Sequence, residues 1–308
     1  MKFYRHYWIY FLISAVFLLP GLVSLGYFHL RPGIDFTGGS LLTIAALPAA
    51  SNSAQLSPPP VLSETLVRES LSDSVYLSSV QQNNRGELIL RLPPISDEQR
   101  QAILASVSAQ LPVEQVSFAA VGAMMGKELI SKTLIALLVA SILLIIYLRL
   151  RFQEISFGVA AFTGVVHDVL IICGIFSILG AWLGVEVDVL FVTALLTTIS
   201  FSVHDTVVIY DRIRELKKKF PAANLRQLAE AAVTATISRS FNNSLTVVFM
   251  LAALLLLGGA SLHYFALALL LGVIFGTYSS PFHSVPMILF LADYKAYYQK
   301  KRLARKKL

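Results

Sequence analysis

Six apolar segments, each close to the length needed to cross a lipid bilayer, constrain this chain more than any other feature. An α-helix of about 20 apolar residues spans the roughly 30 Å of bilayer hydrocarbon. The composition agrees, because 56% of the residues are hydrophobic, only 14% are charged, and the mean hydropathy is +0.69. We therefore predict a polytopic α-helical membrane protein with six transmembrane helices, at residues 7–28, 129–147, 155–179, 189–210, 237–257 and 262–291.

The distribution of basic residues orients these helices. Lys2 and Arg5 precede the first helix, Arg149 and Arg151 separate the second from the third, and further basic residues fill segments 211–236 and 293–308. The loops at 180–188 and 258–261 contain no Lys or Arg. The positive-inside rule then predicts cytoplasmic termini, a basic cytoplasmic loop at 211–236 and an external segment at 29–128. This topology explains the net charge of +7 without a nucleic-acid partner, and it adds an attraction to anionic membrane lipid.

The external segment, residues 29–128, has the pattern of a small α+β domain between helices 1 and 2. We predict a strand at 40–46, a Pro/Ser/Ala-rich linker at 47–60, a helix at 61–72, a strand at 75–80, a turn at 81–86, a strand at 87–92, a helix at 97–111 and a strand at 113–120. The order β-α-β-β-α-β is that of the ferredoxin-like fold. Residues 40–120 contain no His and no Cys, which favours a binding module over an enzyme.

Glycines flank a carboxylate just after the first helix, in the sequence GIDFTGG. Gly33, Gly38 and Gly39 suit a tight turn into the first strand, because glycine tolerates positive φ. The GxGxxG pattern and the Lys of a phosphate-binding loop are missing, so the stretch does not predict nucleotide binding. The single cysteine, Cys173, excludes an internal disulfide and is expected to be a packing thiol. No cofactor or metal site is predicted.

Asp205 is the first candidate for a functional residue, because it lies within the fourth apolar segment. An ionised Asp near the centre of a bilayer costs about 2.5–3.5 kcal/mol on insertion scales, and such residues often mark ion or proton pathways. Helical periodicity places Thr198, Ser202 and Asp205 on one stripe. Arg239 enters the fifth segment at a comparable depth. We therefore predict a proton relay of Asp205, Arg239 and the neighbouring His204, although Arg239 alone could equally extend to the lipid headgroups.

Other polar residues within the apolar segments form a possible secondary site. His167 and Asp168 lie midway along the third segment, and Asn242 and Asn243 lie near the start of the fifth. The pair His167–Asp168 has two interpretations, a structural hydrogen bond across a helix contact or a direct role in proton movement. The sixth segment carries a small-residue face for close helix packing, followed by a predicted kink at Pro281. That face comprises Gly272, Gly276 and Ser280.

Together these motifs resemble the SecD/SecF family of the bacterial Sec protein-export machinery, and within it the SecF subunits. The resemblance rests on GIDFTGG, the His167–Asp168 pair, DTVVIYDRIRE at 205–215, SRS at 238–240 and LGVIFGTYSS at 271–280. It covers nearly the whole chain and places it in the resistance-nodulation-division superfamily. The matching motif residues are Gly33, Asp35, Phe36, Gly38, Gly39, Asp211 and Arg212.

The resemblance implies a membrane subunit of the bacterial inner membrane that is not an enzyme. Its implied partners are a SecD-like subunit, the SecYEG channel, YajC and the translocating polypeptide. It further implies that the proton-motive force drives late steps of translocation. Asp205 falls at the position of the family's proton-carrying aspartate and Arg239 at that of its arginine. In this hypothesis, protonation of Asp205 changes its pairing with Arg239, and the external domain then swings.

The sequence departs from the family pattern at two places. His204 stands where Asn is common, and Asn242 with Asn243 partly replaces a hydroxyl-rich stretch. Histidine titrates near neutral pH, so His204 could change the pH range of coupling. Two other functions stay open at this point: a small-molecule or lipid exporter of the same superfamily, and a passive scaffold of the translocon.

Overall fold

The structure is a computed structural model that describes residues 4, 6–47, 64–70, 77, 79–82, 86–152 and 154–305. The chain divides into two compact units, one of Met1–Arg31 with Ile135–Leu308 and the other of Pro32–Leu134. In chain order the elements are α1 (Trp8–Tyr27), α2 (Ile34–Thr37), β1 (Gly39–Ala46), α3 (Glu64–Ser70), β2 (Ser79–Gln82), β3 (Leu88–Leu92), α4 (Asp97–Ser108), β4 (Val113–Val121), α5 (Ala123–Arg151), α6 (Ile155–Leu183), α7 (Val189–Lys219), α8 (Leu225–Leu257), α9 (Ala260–Ser279), a π-helical turn (Ser280–Ser284) and α10 (Val285–Arg305).

The described residues contain six helices that are long and apolar enough to cross a membrane, as predicted. Five of them are α1, α5, α6, α7 and α8, and the sixth runs from α9 through the π-helical turn into α10. Pro281 lies in this turn, which agrees with the predicted irregularity there. A proline cannot donate the helical hydrogen bond, so the backbone locally adopts a wider turn. The chain is therefore a polytopic helical membrane protein.

Three helices extend much further than their apolar segments, namely α7, α8 and α10, the last of which continues to Arg305. The segment at 211–236 is mostly helical, because α7 continues to Lys219 and α8 begins at Leu225. Only five residues connect them, and they include Pro221, which stops the first helix. The side chain of Asn224 accepts a hydrogen bond from the backbone N–H of Arg226 and so caps the second helix. The sequence-based boundaries were too short because hydropathy marks the apolar part of a helix and not its ends.

Helices α6 and α7 and the sixth span form the interior of the membrane unit, whereas none of the apolar stretch of α5 is buried. Glycines permit the closest helix contacts. A Cβ added to Gly21 in α1 would lie 3.0 Å from the Cα of Gly174 in α6. A Cβ added to Gly272 in α9 would overlap Thr198 of α7. The predicted close-packing face of the sixth span is thus used within the chain itself, and it packs against α7.

The unit Pro32–Leu134 contains a four-stranded antiparallel sheet in the order β2-β3-β1-β4. Alternate residues of β1 and β3, among them Leu42, Ile44 and Leu90, face Val67 of α3 and Ile103 of α4 in one apolar core. Both helices therefore cover the same face of the sheet. The side chain of Ser96 caps α4 in a capping box with Gln99, which stabilises the helix start that the sequence predicted.

One strand ends two residues later than predicted. The strand expected at 75–80 overlaps β2 at residues 79 and 80, and residues 75, 76 and 78 lie outside the described residues. Strand β2 continues to Gln82, with Gln81 and Gln82 paired to Ile89 and Leu88 of β3. The first two residues of the predicted turn at 81–86 therefore belong to β2, and residues 83–85 lie outside the described residues. These two glutamines have little intrinsic strand preference, so their pairing is determined by the neighbouring strand and not by local propensity. Residues 48–60 of the predicted linker lie outside the described residues.

The glycine-rich motif forms the predicted turn. Residues of α2 make a single helical turn, after which Gly38 and Gly39 have φ values of 73° and 129°. A Cβ at Gly39 would lie only 2.9 Å from the carbonyl oxygen of Leu92. A Cβ at Gly126, at the start of α5, would lie 2.7 Å from the carbonyl oxygen of Phe36. The positive φ requires glycine at positions 38 and 39, and the close approach of another backbone requires it at positions 39 and 126.

Candidate functional site

The polar stripe predicted on the fourth membrane helix is present and buried. Thr198, Ser202 and Asp205 lie on one face of α7 with exposed fractions of 1%, 1% and 8%. Asp205 interacts with Ser240 of α8 through its side chain and with Arg239 through charge. Helix α7 is regular through this region, so the spacing of the three residues alone brings them to the same face.

Two cavities adjoin Asp205. The smaller has a volume of about 10 Å³ and is also lined by Asn243, Ser244 and Thr277, which gives room for a single water molecule. The larger has a volume of about 260 Å³ and lies between α7, α8 and the end of α9. Its lining is mostly apolar and includes the hydroxyl of Ser280. The carboxylate therefore has space on both sides within an otherwise packed helix bundle.

Arg239 lies near Asp205 but faces a different cavity. Its side chain helps to line a cavity of about 370 Å³ that also contains Asp211, Arg212 and Glu215. The ion pairs found in the described part of the chain do not join Asp205 to Arg239. They do join Asp211 to Arg151 of α5 and Arg212 to Glu215. Arg239 therefore acts on Asp205 at longer range than an ion pair.

The remaining members of the predicted relay and secondary site lie at different places. His204 is exposed on the outer face of α7, next to the buried stripe. Asn242 is exposed on α8, whereas Asn243 lines the small cavity beside Asp205. The sequence did not indicate Ser244, whose hydroxyl accepts a hydrogen bond of 2.6 Å from Thr277. Its only signal is that it is a polar residue in an apolar segment.

Asp168 forms a second buried polar centre. Its Oδ2 accepts hydrogen bonds from Ser202 of α7 at 2.6 Å and from Ser279 of α9 at 2.7 Å. The Nδ1 of His167 lies 2.9 Å from its Oδ1. The side chain of His283, in the π-helical turn, stacks on the ring of His167. Sequence reasoning identified His167 and Asp168 but missed Ser279 and His283, although SSPFHS is a run of polar residues within the apolar segment 262–291.

Hydroxyl groups connect the two centres. Ser202 hydrogen-bonds Asp168 and is followed one turn later by Asp205 and Thr206 on the same helix. The hydroxyl of Ser280 donates to the carbonyl of Ser202 at 3.3 Å and lies 2.9 Å from the hydroxyl of Thr206. Carboxylates, imidazoles and hydroxyls can accept, hold and pass protons. Within the described residues, no group of three His, Cys, Asp or Glu side chains is placed to hold a metal ion.

Two family models match this chain. The model described as "Protein export membrane protein SecD/SecF, C-terminal" covers residues 100–294, which include Asp168, Asp205 and Arg239. The model described as "SecD/SecF GG Motif" covers residues 23–46, which include the glycine turn. The first match extends over more than half of the chain. The chain belongs to the SecD/SecF family.

Individual members of the SecD/SecF family match over most of the chain. It is 36% identical to the protein translocase subunit SecF of Thermobaculum terrenum over 89% of either chain. It is 39% identical to SecF of Synechocystis, over 82% of this chain and 80% of that one. The protein translocase subunit SecDF of Thermus thermophilus is 35% identical over 80% of this chain, but the match covers only 32% of that longer protein.

Solved SecDF structures share the fold of this chain. The crystal structure of SecDF from Thermus thermophilus superposes with a TM-score of 0.78 and 30% sequence identity over 94% of this chain. A SecDF structure in a super-membrane-facing form has a TM-score of 0.60 and 29% identity. This chain spans 38% and 39% of the lengths of those two SecDF chains. It thus corresponds to one part of a larger SecDF unit.

Proposed function

We propose that this chain is the SecF-type subunit of a Sec protein-export machinery and works together with a SecD subunit. The similarity to separate SecF proteins and to one part of the longer SecDF proteins supports this pairing. The SecD chain would then supply the remainder of the unit. The matched relatives are named as protein translocase subunits, which argues against the small-molecule or lipid exporter.

The observation that carries the proposed mechanism is the buried carboxylate of Asp205 between two cavities. Burial disfavours the charged form of a carboxylate, whereas a nearby cation favours it. Movement of the Arg239 side chain toward or away from Asp205 would therefore change how readily the carboxylate takes up a proton. About 2.3 kcal/mol is available for each charge that moves through 100 mV. The proton-motive force can thus repack the helices around Asp205, with Arg239 as the positioning cation.

The proposal extends to the rest of the chain. The unit Pro32–Leu134 is a ferredoxin-like domain on the outer side of the bacterial inner membrane, where it contacts the emerging polypeptide. Its sheet order and its two helices on one face support this assignment. The basic ends of α7 and α10 lie in the cytoplasm, with both termini, by the positive-inside rule. SecYEG and YajC are the further partners that the family resemblance implies.

Substitution of Asp205 by Asn distinguishes a subunit driven by the proton-motive force from a passive scaffold of the translocon. Asn is nearly isosteric and keeps hydrogen-bonding capacity but cannot carry a proton. We expect the complex of SecD with the Asp205→Asn chain to assemble normally and to lose the part of precursor translocation that depends on the proton-motive force. The measurement is completion of translocation in inverted membrane vesicles, with assembly of the complex checked by co-purification from the same vesicles.

Matched variants on the same helix and its neighbour sharpen this test. His204→Asn changes an exposed residue adjacent in sequence and should have little effect. Arg239→Met should act like Asp205→Asn, whereas Arg239→Lys should retain part of the activity because it keeps a positive charge. Normal proton-dependent translocation by an intact Asp205→Asn complex would refute the role of this residue as proton carrier.

A further inference from the structure

The π-helical turn at Ser280–Ser284 directs a second imidazole toward α6. The ring of His283 stacks on that of His167, with centroids 4.4 Å apart and an angle of 26° between the planes. His167 in turn contacts Asp168. The exposed fractions are 9% for His283, 3% for His167 and 0% for Asp168. Three titratable side chains therefore meet inside the membrane unit, in a group that does not include Asp205.

The donors to Asp168 come from different helices. Ser202 belongs to α7 and Ser279 to α9, and each donates its hydroxyl proton to Oδ2. On the other side of the group, the Nδ1 of His283 lies 3.5 Å from the hydroxyl of Ser14 in α1. A displacement of α7 or α9 relative to α6, or of α1 relative to the π-helical turn, therefore breaks at least one of these contacts. The hydrogen bonds of Asp168, His167 and His283 therefore depend on how α1, α6, α7 and α9 are packed.

The charge of the group depends on a single proton. Among the ion pairs of the described residues, Asp168 takes part only in the pair with His167, so no Lys or Arg neutralises it. With one bound proton, a carboxylate and two imidazoles have a net charge of zero, wherever that proton resides. Without it the group carries a buried negative charge, and with a second one a buried positive charge. An unpaired buried charge is unfavourable, so the neutral state with one proton is favoured.

Other titratable groups near this site have their own partners. The phenol of Tyr210 on α7 donates to the carbonyl of Ser284 at 3.1 Å, and that of Tyr4, ahead of α1, donates to the carbonyl of Pro281 at 2.8 Å. Tyr278 of α9 faces the carbonyl of Tyr10. On α10, Asp293 is bonded to Tyr7 and Arg226. On α7, Asp205 lies on the turn that follows Ser202.

We propose that Asp168, His167 and His283 form a second proton-binding site, which holds one shared proton while α1, α6, α7 and α9 are packed as in this structure and releases it when they separate. The ligand of the site is the proton itself. The inference goes beyond the proposed function, because the proton is bound at residues other than Asp205. It also gives the hydroxyls of Ser202 and Ser280 a role, since Ser202 donates to Asp168, and Ser280 donates to the carbonyl of Ser202 and lines the larger cavity beside Asp205.

The test is a titration of the full chain, purified in detergent and labelled with ¹⁵N at histidine. Imidazole nitrogen signals are recorded by NMR through the pH range around 6.5, where an ordinary histidine titrates, and the carboxylic acid band is followed by infrared spectroscopy. We expect the signals of His167, His283 and Asp168 to change together in one transition. In Asp168→Asn the transition should shift by at least tenfold in proton concentration. The control His6→Gln, on an exposed histidine ahead of α1, should leave it unchanged.

Two outcomes would overturn the proposal. Signals that do not change with pH would show a group that serves packing only, and separate transitions would show independent residues. If Asp168→Asn does not fold, the titration of the unaltered chain and that of His283→Gln decide the question, because removal of His283 should also shift the transition of His167. The titration requires neither SecD nor a membrane potential. A negative result for Asp205 in the export assay would therefore leave this inference standing.

Discussion

The crossing of α1 and α6 at Gly21 and Gly174 leads to a quantitative prediction about stability. A Cβ at Gly174 would overlap the Cα of Gly21 and would lie 3.0 Å from its carbonyl carbon and 3.2 Å from its oxygen. All three are backbone atoms and cannot rotate away, so Gly174→Ala must push the helices apart. One turn further along each helix, the hydroxyls of Ser24 and Ser177 lie 2.8 Å apart, and separation would break this contact too.

Gly158→Ala in the same helix is the matched control. A Cβ there would meet only the Cβ of Leu148, at 3.9 Å, which is an ordinary contact. Both substitutions gain the same helix propensity, about 0.8–1 kcal/mol, so this term cancels in their difference. Overpacking costs about 1–3 kcal/mol and a buried interhelical hydrogen bond contributes about 0.6 kcal/mol. We therefore expect Gly174→Ala to be less stable than Gly158→Ala by about 1.5–3.5 kcal/mol.

The assay is unfolding of the purified chain by SDS in mixed micelles, followed by far-ultraviolet circular dichroism. A double-mutant cycle adds a second readout. Ser24→Ala should cost about 0.6 kcal/mol in the unaltered chain and almost nothing in Gly174→Ala, where the hydroxyl contact is already lost. Equal stability of Gly174→Ala and Gly158→Ala would refute the argument that the backbones of α1 and α6 touch.

Two further predictions concern topology and pH. A reporter fused after Gln81 should be external, and reporters fused after Lys218 or Leu308 should be cytoplasmic; an external Lys218 fusion would overturn the orientation. Burial raises the pKa of Tyr4, so the free energy of unfolding should decrease as the pH rises above about 10, where tyrosine in the unfolded chain ionises. Tyr4→Phe should reduce this decrease and Tyr27→Phe, at an exposed position, should not, as measured by SDS unfolding at several pH values.

Local patterns were sufficient to predict much of this molecule. The stripe that contains Ser202 and Asp205 follows from helical periodicity, and the turn at Gly38 follows from backbone sterics. Neither depends on distant residues. The contact between His167 and His283 could not be predicted in this way, because the two residues are 116 positions apart in the sequence and meet only through helix packing. Polar residues within apolar spans identified the candidates but not their partners.

Arg239 shows that the sequence predicts the depth of a side chain but not its direction. The sequence placed it at the depth of Asp205, and the two do interact through charge. Its side chain nevertheless lines the cavity with Asp211 and Glu215, since a long side chain at a helix surface can take several directions. Residue type and depth predict which groups lie near one another. They do not predict which rotamer a flexible cation adopts.

The length of α7 has a mechanical consequence. Its 31 residues correspond to about 46 Å, well beyond the roughly 30 Å of bilayer hydrocarbon. No proline or glycine interrupts α7, so we expect the helix to move as one unit, with Asp205 near its middle and Lys219 at its C-terminus. A tilt of about 10° around Asp205 would move that C-terminus by roughly 4 Å. A tilt of α7 that accompanies protonation of Asp205 would thus displace the basic C-terminus of the helix, because no flexible residue separates the two.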